Sequence, residues 1–287
     1  MMVPKSINIA VSDQMFMIKT FDSREDKQNL NGQAVNIFAS GPSISEINFH
    51  QDLLAISSIF VNGSLSLLDK HLFENVVGYV ISDERFIKHK PDFFIESYNG
   101  QPLYATISVV EAIAHHYPEV IEQYQKSIRI IYAVDRPLNN LTQTKPKTLW
   151  RKISNLFKIR QNKRLTLADF SDHPNFVIDN QQTSLPIGVS LDITYGFVEA
   201  GTVAYVAAQL AFSRQASTIH LYGIDLLNSN QPRFYESKHD NAPSKLDKAI
   251  SDRIVPSFDL LGKVYKEHKV AVINHSSVSA SLFNHLD

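Results

Sequence analysis

The chain has no cysteine and only one tryptophan in 287 residues. Without cysteine there is no disulfide and no thiolate metal site, which fits a reducing compartment. Neither sign of charge dominates: 28 Lys and Arg face 29 Asp and Glu, for a formal net charge of −1. No global field therefore recruits nucleic acid, and no nucleic-acid partner is expected. Nowhere do about 18 apolar residues run uninterrupted, so no transmembrane helix is expected. The opening MMVPKSINIAVSDQMFMIKT lacks a basic start followed by an apolar core and does not read as a signal peptide. A cytoplasmic location is the expectation.

Several signatures are missing as well. The chain holds no G-x-x-x-x-G-K-[ST], no G-x-G-x-x-G and no G-x-S-x-G, which weakens NTPase, dinucleotide and esterase readings. It has no D-x-D pair of the sort that holds a metal in many nucleotide-sugar transferases. His115 and His116 are adjacent, so on a helix they cannot face one ligand together. No metal and no cofactor are expected.

What is present is a folded globule, 44% hydrophobic and 10% aromatic, long enough for one large α/β domain or two small ones. Short Val- and Ile-rich runs recur: VNIFA, ISSIFV, VVGYVIS, IRIIYAV, TIHLYG and VAVIN. Such continuous apolar runs suit strands buried on both faces of a parallel sheet. Helical patterns lie between them, over roughly 64–75, 104–126, 197–214 and 244–268. The alternation predicts an α/β fold, a Rossmann-like, mostly parallel sheet with helices on both faces. Residues 1–34 read as an N-terminal hairpin or extension, with the Rossmann-like domain in 35–135 and 191–287. Turn-rich RPLNNLTQTKPKT and NQQTSLPIG bracket 136–190, an inserted lid or acceptor-binding segment.

In a doubly wound sheet, ligands gather at the carboxyl ends of the strands. The candidate strands end in hydrogen-bonding residues: Ser40-Gly41-Pro42-Ser43, Asn62-Gly63-Ser64, Asp83-Glu84-Arg85, Gly223-Ile224-Asp225 and His275-Ser276-Ser277. Any one is also ordinary turn chemistry or capping; the set together favours a shared crevice. Glycine at position 41 would let a ligand approach the backbone, and the amides after it would face an anion. Asp83 either caps a turn or acts as base or sugar ligand, with Glu84 and Arg85 pairing to each other. Gly201-Thr202 opens a helical stretch, either for close packing or to admit a ligand phosphate. The loop after Asp225 carries Arg233, Tyr235, Glu236 and His239. Arg233 suits a carboxylate or phosphate, Tyr235 a departing phosphate, and His239 or a nearby carboxylate an acceptor proton. The bland reading is a solvated loop leading into a helix capped at Ser244.

The segment Lys145–Arg164 contains eight Lys or Arg and no acidic residue, with Trp150, Ile153, Leu156 and Phe157 at helical spacing. A basic amphipathic helix of this kind suits an anionic membrane surface. The alternative is a helix docked on its own protein through Trp150.

Taken in order, FASGPS, FVNGS, VISDERF, GTVAYVAAQLAFS, YGIDLLNSNQPRFYE and APSKLDKAI resemble bacterial lipopolysaccharide-core Kdo transferases of the WaaZ type, over roughly residues 35–285. Kdo is 3-deoxy-manno-octulosonic acid. The resemblance implies a CMP-Kdo donor, a lipid A–inner core acceptor, inverting transfer without a metal, and work at the inner face of the cytoplasmic membrane. A more distant likeness is to bacterial CMP-sialic acid transferases. It implies that Gly41, Pro42, Ser43, Asn62, Gly63 and Ser64 line a CMP pocket, with Gly201 and Thr202 by the phosphate and the donor carboxylate. Three features depart from that pattern: Phe197 to Ala200 holds no arginine, Leu226-Leu227 follows Asp225 in place of a tyrosine pair, and the histidine base of the pattern lies farther along the loop than His239 does. The rivals are a transferase for another CMP-activated acidic sugar, and a non-catalytic nucleotide-binding protein of envelope assembly.

Overall fold

The computed structural model describes residues 3–26, 30–89, 91–136, 138, 165–181, 183, 185–227, 233–234 and 249–287. Nine strands form one sheet: β1 (Ser6–Val11), β2 (Gln14–Thr20), β3 (Ala34–Phe38), β4 (Ser57–Val61), β5 (Val76–Ile81), β6 (Leu103–Ala105), β7 (Ile128–Ile130), β10 (Thr218–Tyr222) and β11 (Ala271–Asn274). The order across the sheet is β1-β2-β7-β6-β5-β4-β3-β10-β11. Every pairing is parallel except the β1–β2 hairpin at one edge. The expected α/β architecture is therefore present, and the N-terminal hairpin is joined to the sheet through Lys19↔Arg129 and Thr20↔Ile130.

Side-chain alternation sends each inner strand to two cores. Val35 and Ile37 of β3, Ile59 and Val61 of β4, and Ile219 and Leu221 of β10 face one side. There they meet α3 (Val203–Ser213) and α4 (Val255–Glu267). Phe38, Phe60, Tyr79 and Leu103 face the other, against α1 (Ile107–His116) and α2 (Pro118–Tyr124). Burial on both faces is why these runs are continuously apolar rather than alternating.

Four helical expectations shift. The segment 104–126 begins with strand β6, a three-residue run between β5 and β7 too short to show its period. Its helix then breaks at Tyr117, because the residue before Pro118 is driven out of helical backbone. Instead of a helix over 64–75 there is a 3-10 turn, Asn62–Asp69. Ser64 and Ser66 hydroxyls bond the backbone of Val61 and Gly63 there and hold it tight. In 197–214 the helix starts only at Val203, with Thr202 as its N-cap. Within 244–268 the described part opens with a π turn at Ile250–Ile254 before α4, where Pro256 removes an amide from the ladder. The run 128–134 forms ladder only through Ile130, then a single bridge from Ala133 to Phe197.

Within the insert, β8 (Phe176–Asp179) and β9 (Ile187–Ser190) make an antiparallel hairpin. β9 is fully buried, and the Tyr205 and Tyr265 hydroxyls donate to Gly188 O at 2.8 Å and Ser190 O at 3.0 Å. The core thus resumes before residue 190. Among the described residues no helix is long and apolar enough to cross a membrane.

Candidate active site

Strands β3 to β7 are laid down in one direction from β3, and β10 and β11 in the other. The reversal puts the topological switch point between the carboxyl ends of β3 and β10, where a crevice opens in such sheets. Ser40-Gly41-Pro42-Ser43 leaves β3 there, and Gly223-Ile224-Asp225 leaves β10. Ala39 N donates to Tyr222 O at 2.8 Å and Gly41 N to Gly223 O at 3.0 Å, so the two exits run side by side.

Asp225 locks them together. It is 8% exposed and accepts from Ser43 N at 2.6 Å, from Ser43 Oγ at 2.7 Å and from Ser276 Oγ beyond β11. The close approach expected at Gly41 has a different cause from the one anticipated. A Cβ there would strike Asp225 Oδ2 and stand 2.5 Å from Gly223 O, so the carboxylate itself fills the space. Gly223 has φ +72°, and a Cβ on it would meet Ile44 Cγ1 at 2.7 Å. Ser43, Asp225 and Ser276 thus form one inward clasp that fixes the shape of the turn.

At the end of β4, Asn62 takes a left-handed backbone, φ 49°. Its Oδ1 is buried and has no hydrogen-bond partner among the described residues. Gly63 and Ser64 are buried, and the Ser64 hydroxyl bridges the neighbouring exits through Phe38 O (2.6 Å) and Val61 O (2.9 Å). Phe234 N donates to Ser40 O at 3.4 Å, which brings Arg233, far away in sequence, next to the Gly-Pro-Ser turn. Tyr235, Glu236, His239 and the basic stretch Lys145–Arg164 lie outside the described residues.

Beyond the end of β5, next to β4 in the sheet, lies a cleft of about 470 Å³. It is lined by Asp83, Arg85, Arg136, Glu199, Gly201, Thr202 and Arg253 among others. Asp83 does not leave Arg85 to Glu84, as expected from sequence. Arg85 instead folds back onto the Asp83 carboxylate through Nε, at 3.0 and 2.8 Å, and through Nη2, while its amide donates at 2.9 Å. Glu84 pairs with Lys88 one turn on, at 3.0 Å. Burial pushes the Asp83 carboxyl up, but the Arg85 hydrogen bonds and charge outweigh it and leave the group below its ordinary range.

Gly201, at φ +84°, provides the left-handed step that lets the chain enter α3. Thr202 Oγ1 accepts from Ala204 N at 3.4 Å as the N-cap. The preceding segment is held by Gln209, whose buried amide accepts from Ser190 N and Val198 N at 3.0 Å each. The same amide donates to Val198 O at 2.9 Å and Tyr205 O at 3.1 Å. Its full hydrogen-bonding capacity is used, which makes the helix start rigid.

The sequence reading missed three residues of this cleft. Arg136 reaches Glu199 with Nη2, and Arg253 donates from Nη2 to Glu199 O at 2.8 Å. Two guanidinium groups therefore converge on the segment that holds no arginine of its own. Arg136 follows a strand-like run and was open to the strand-end rule. Arg253, on the π turn before α4, carried no local signal.

Of the site residues expected from sequence, Asp83, Gly201 and Thr202 share the cleft. Ser40, Gly41, Pro42, Ser43, Gly223, Asp225 and Ser276 share the clasp, and Asn62, Gly63 and Ser64 stand one strand over. Among the described residues no three His, Asp or Glu gather in metal-binding geometry.

Residues 17–284 match the family described as 3-deoxy-D-manno-octulosonic acid transferase WaaZ. The chain belongs to that family. It is 28% identical over 233 residues to a probable 3-deoxy-manno-octulosonic acid transferase of Salmonella typhimurium, with 79% of this chain and 76% of that one covered. To a protein of the same description in Escherichia coli it is 25% identical over 241 residues, covering 82% and 77%. Among solved structures it is similar to the sialyltransferase CstII of Campylobacter jejuni in complex with a substrate analogue, cytidine-5'-monophosphate. That similarity is 12% identity and a TM-score of 0.44 over 90% of this chain and 86% of that one, too slight to bear on function. Membership of the Kdo transferase family makes the chain a glycosyltransferase, and both the clasp and the cleft fall within the matched span.

Proposed function

We propose that this glycosyltransferase moves Kdo from CMP-Kdo to a sugar hydroxyl of the lipid A–inner core. The observation that carries the reading is the family match across residues 17–284. The switch-point geometry supports it: the turn clasped by Asp225 offers a rigid cradle where a nucleotide would lie. The Oδ1 of Asn62, which meets no donor among the described residues, is suited to an amine or hydroxyl of the nucleotide.

In the reaction the acceptor oxygen attacks the anomeric carbon of the donor sugar and gives its proton to a base. The bond from that carbon to the phosphate oxygen breaks, and CMP departs with the electron pair. Attack from the side opposite CMP inverts the configuration, through an oxocarbenium-like transition state. Asp83 or His239 takes the proton. For Asp83 this requires Arg85 to release it, because a carboxylate held below its ordinary pKa is a poor base near neutral pH. Arg233, Tyr235 and the first amides of α3 would stabilise charge growing on the phosphate, without a metal. The segment Lys145–Arg164 would hold the enzyme on the anionic inner face of the cytoplasmic membrane, where the acceptor is found.

The test is CMP release from CMP-Kdo in EDTA, with and without a Kdo-bearing lipid A acceptor, and with CMP-sialic acid as competitor. Release that depends on acceptor and resists competition is the expected result. Preferential use of CMP-sialic acid would move the assignment to another acidic sugar, and binding without turnover would favour the non-catalytic rival.

A further inference from the structure

The two edges of the sheet are finished differently. At one edge the C-terminal residue covers β11: Asn274 N donates to Asp287 O at 3.0 Å and Asp287 N to Val272 O at 2.9 Å. At the other edge β1 pairs with β2 alone. Thr20 N donates to Lys5 O at 3.0 Å, which continues the β1–β2 ladder by one residue. Bonding alternates along an antiparallel pair, so Lys5, Ile7, Ile9 and Val11 turn to β2, while Ser6, Asn8 and Ala10 turn outward. Among the described residues no group bonds the amides or carbonyls of these three.

Such an edge is a template for another strand, and chains blunt it with lysine, proline, a bulge or a cover. β1 has none of these: SINIAV is uncharged, holds no proline and keeps a regular register with β2. Met15 and Met17 lie opposite Ala10 and Asn8 on the hairpin and are 64% and 63% exposed. A groove of about 530 Å³ runs beside the edge, with Asn8, Ile9 and Ala10 on one side and Glu111, Ala114 and His115 of α1 on the other. It leaves room for an incoming strand.

We propose that β1 pairs antiparallel with β1 of a second copy of this chain, about a two-fold axis at Asn8, and so extends the sheet through a dimer. One register satisfies every outward group of the strand: Asn8 stands opposite Asn8, and Ser6 opposite Ala10 in both directions. The pairing stops on one side at Pro4, which has no N–H to offer, and on the other at Ser12, whose φ of 52° begins the turn. The strand is its own complement. The two Asn8 side-chain amides each present a donor and an acceptor to the other. Exposed Lys5 stands diagonal to exposed Asp13 of the second copy, within reach of a lysine side chain. The axis is perpendicular to the sheet, so the switch points of the two copies open on opposite edges and no site is shared. The inference is independent of the transferase reading.

Sedimentation velocity of the full-length protein at micromolar concentration reads the mass. Wild type is expected at twice the chain mass of 32.4 kDa. Asn8→Pro removes the outward amide at the axis, a change that an edge strand tolerates in a single chain. It should sediment as a monomer with the far-UV spectrum of wild type. Asn8→Lys sets like charges opposite each other and should do the same; it decides the matter where the proline variant does not fold. The chain has no cysteine, so introduced thiols report position. Opposed Cα atoms in a hydrogen-bonded pair are about 5.5 Å apart, within disulfide range, so Asn8→Cys should cross-link under mild oxidation. Met17→Cys, on the same face but one strand inward, should not. A monomeric wild type, a dimer that survives Asn8→Lys, or equal cross-linking at the two positions would overturn the proposal.

Discussion

The switch-point clasp and the cleft at the start of α3 stand on the same edge of one sheet and are built in opposite ways. In the clasp, Asp225 is buried and three donors converge on its carboxylate, so its polar groups are used to fix backbone. In the cleft the ion pairs are partly exposed, with side chains of Asp83 and Arg85 at 38% and 75%, and Arg253 donates to the Glu199 carbonyl with no carboxylate partner among the described residues. A satisfied buried network gives shape and rigidity. Exposed pairs contribute little to stability, and they can exchange partners when a charged substrate arrives. The clasp is thus the part suited to hold a constant group, and the cleft the part suited to respond.

That contrast implies very different sensitivities to mutation. Asp225→Ala strands three buried donors and should destabilise the protein by about 3 kcal/mol or more in denaturant unfolding; a loss below about 1 kcal/mol would mean the clasp is not structural. Asp83→Asn breaks only a half-exposed pair. If Asp83 is the base, it should lower turnover by about 10²-fold while leaving the fold and CMP affinity intact, and unchanged turnover assigns the base elsewhere.

Gly201→Ala sits between these extremes. A Cβ there has room, with Ile254 Cγ1 at 3.6 Å, so the expected loss of about 1 to 2 kcal/mol comes from the left-handed backbone alone. No loss would show that the backbone relaxes.

The smallest effect concerns pH. His220 Nδ1, in the middle of β10, and His275 Nε2, just past β11, are 2.9 Å apart, and the His275 ring stacks on Tyr222 at 4.4 Å. Burial holds both imidazoles below the ordinary 6.5, with the neighbouring ring adding to this for His220. The unfolded chain therefore takes up protons around pH 6.5 that the folded one still refuses. Stability should decline as pH falls through 6.5 and stop declining once the folded values are passed. Melting temperature against pH reads this directly, and His275→Gln should flatten the slope. A flat wild-type profile would contradict it.

The contrast also explains what was legible in the sequence. Strands β3, β4 and β5 could be read because burial on both faces makes their runs largely apolar, and β10 from the alternation of buried Ile219 and Leu221, whereas β6 is three residues long and looked helical. The strand-end rule found Gly41, Asp83 and Asp225 because such residues follow their strands directly. It could not show that Asp225 faces Ser43 across 182 positions, since that pairing exists only once the sheet is assembled. Arg253 was out of reach for the same reason: it approaches Glu199 from 54 residues away, on a helix whose pattern reports only its buried face.

One measurement bears most directly on the whole reading: the mass of a lipid A–inner core acceptor after incubation with CMP-Kdo and the purified protein. A gain of one Kdo residue is the expected result. CMP release with no gain in acceptor mass would contradict it.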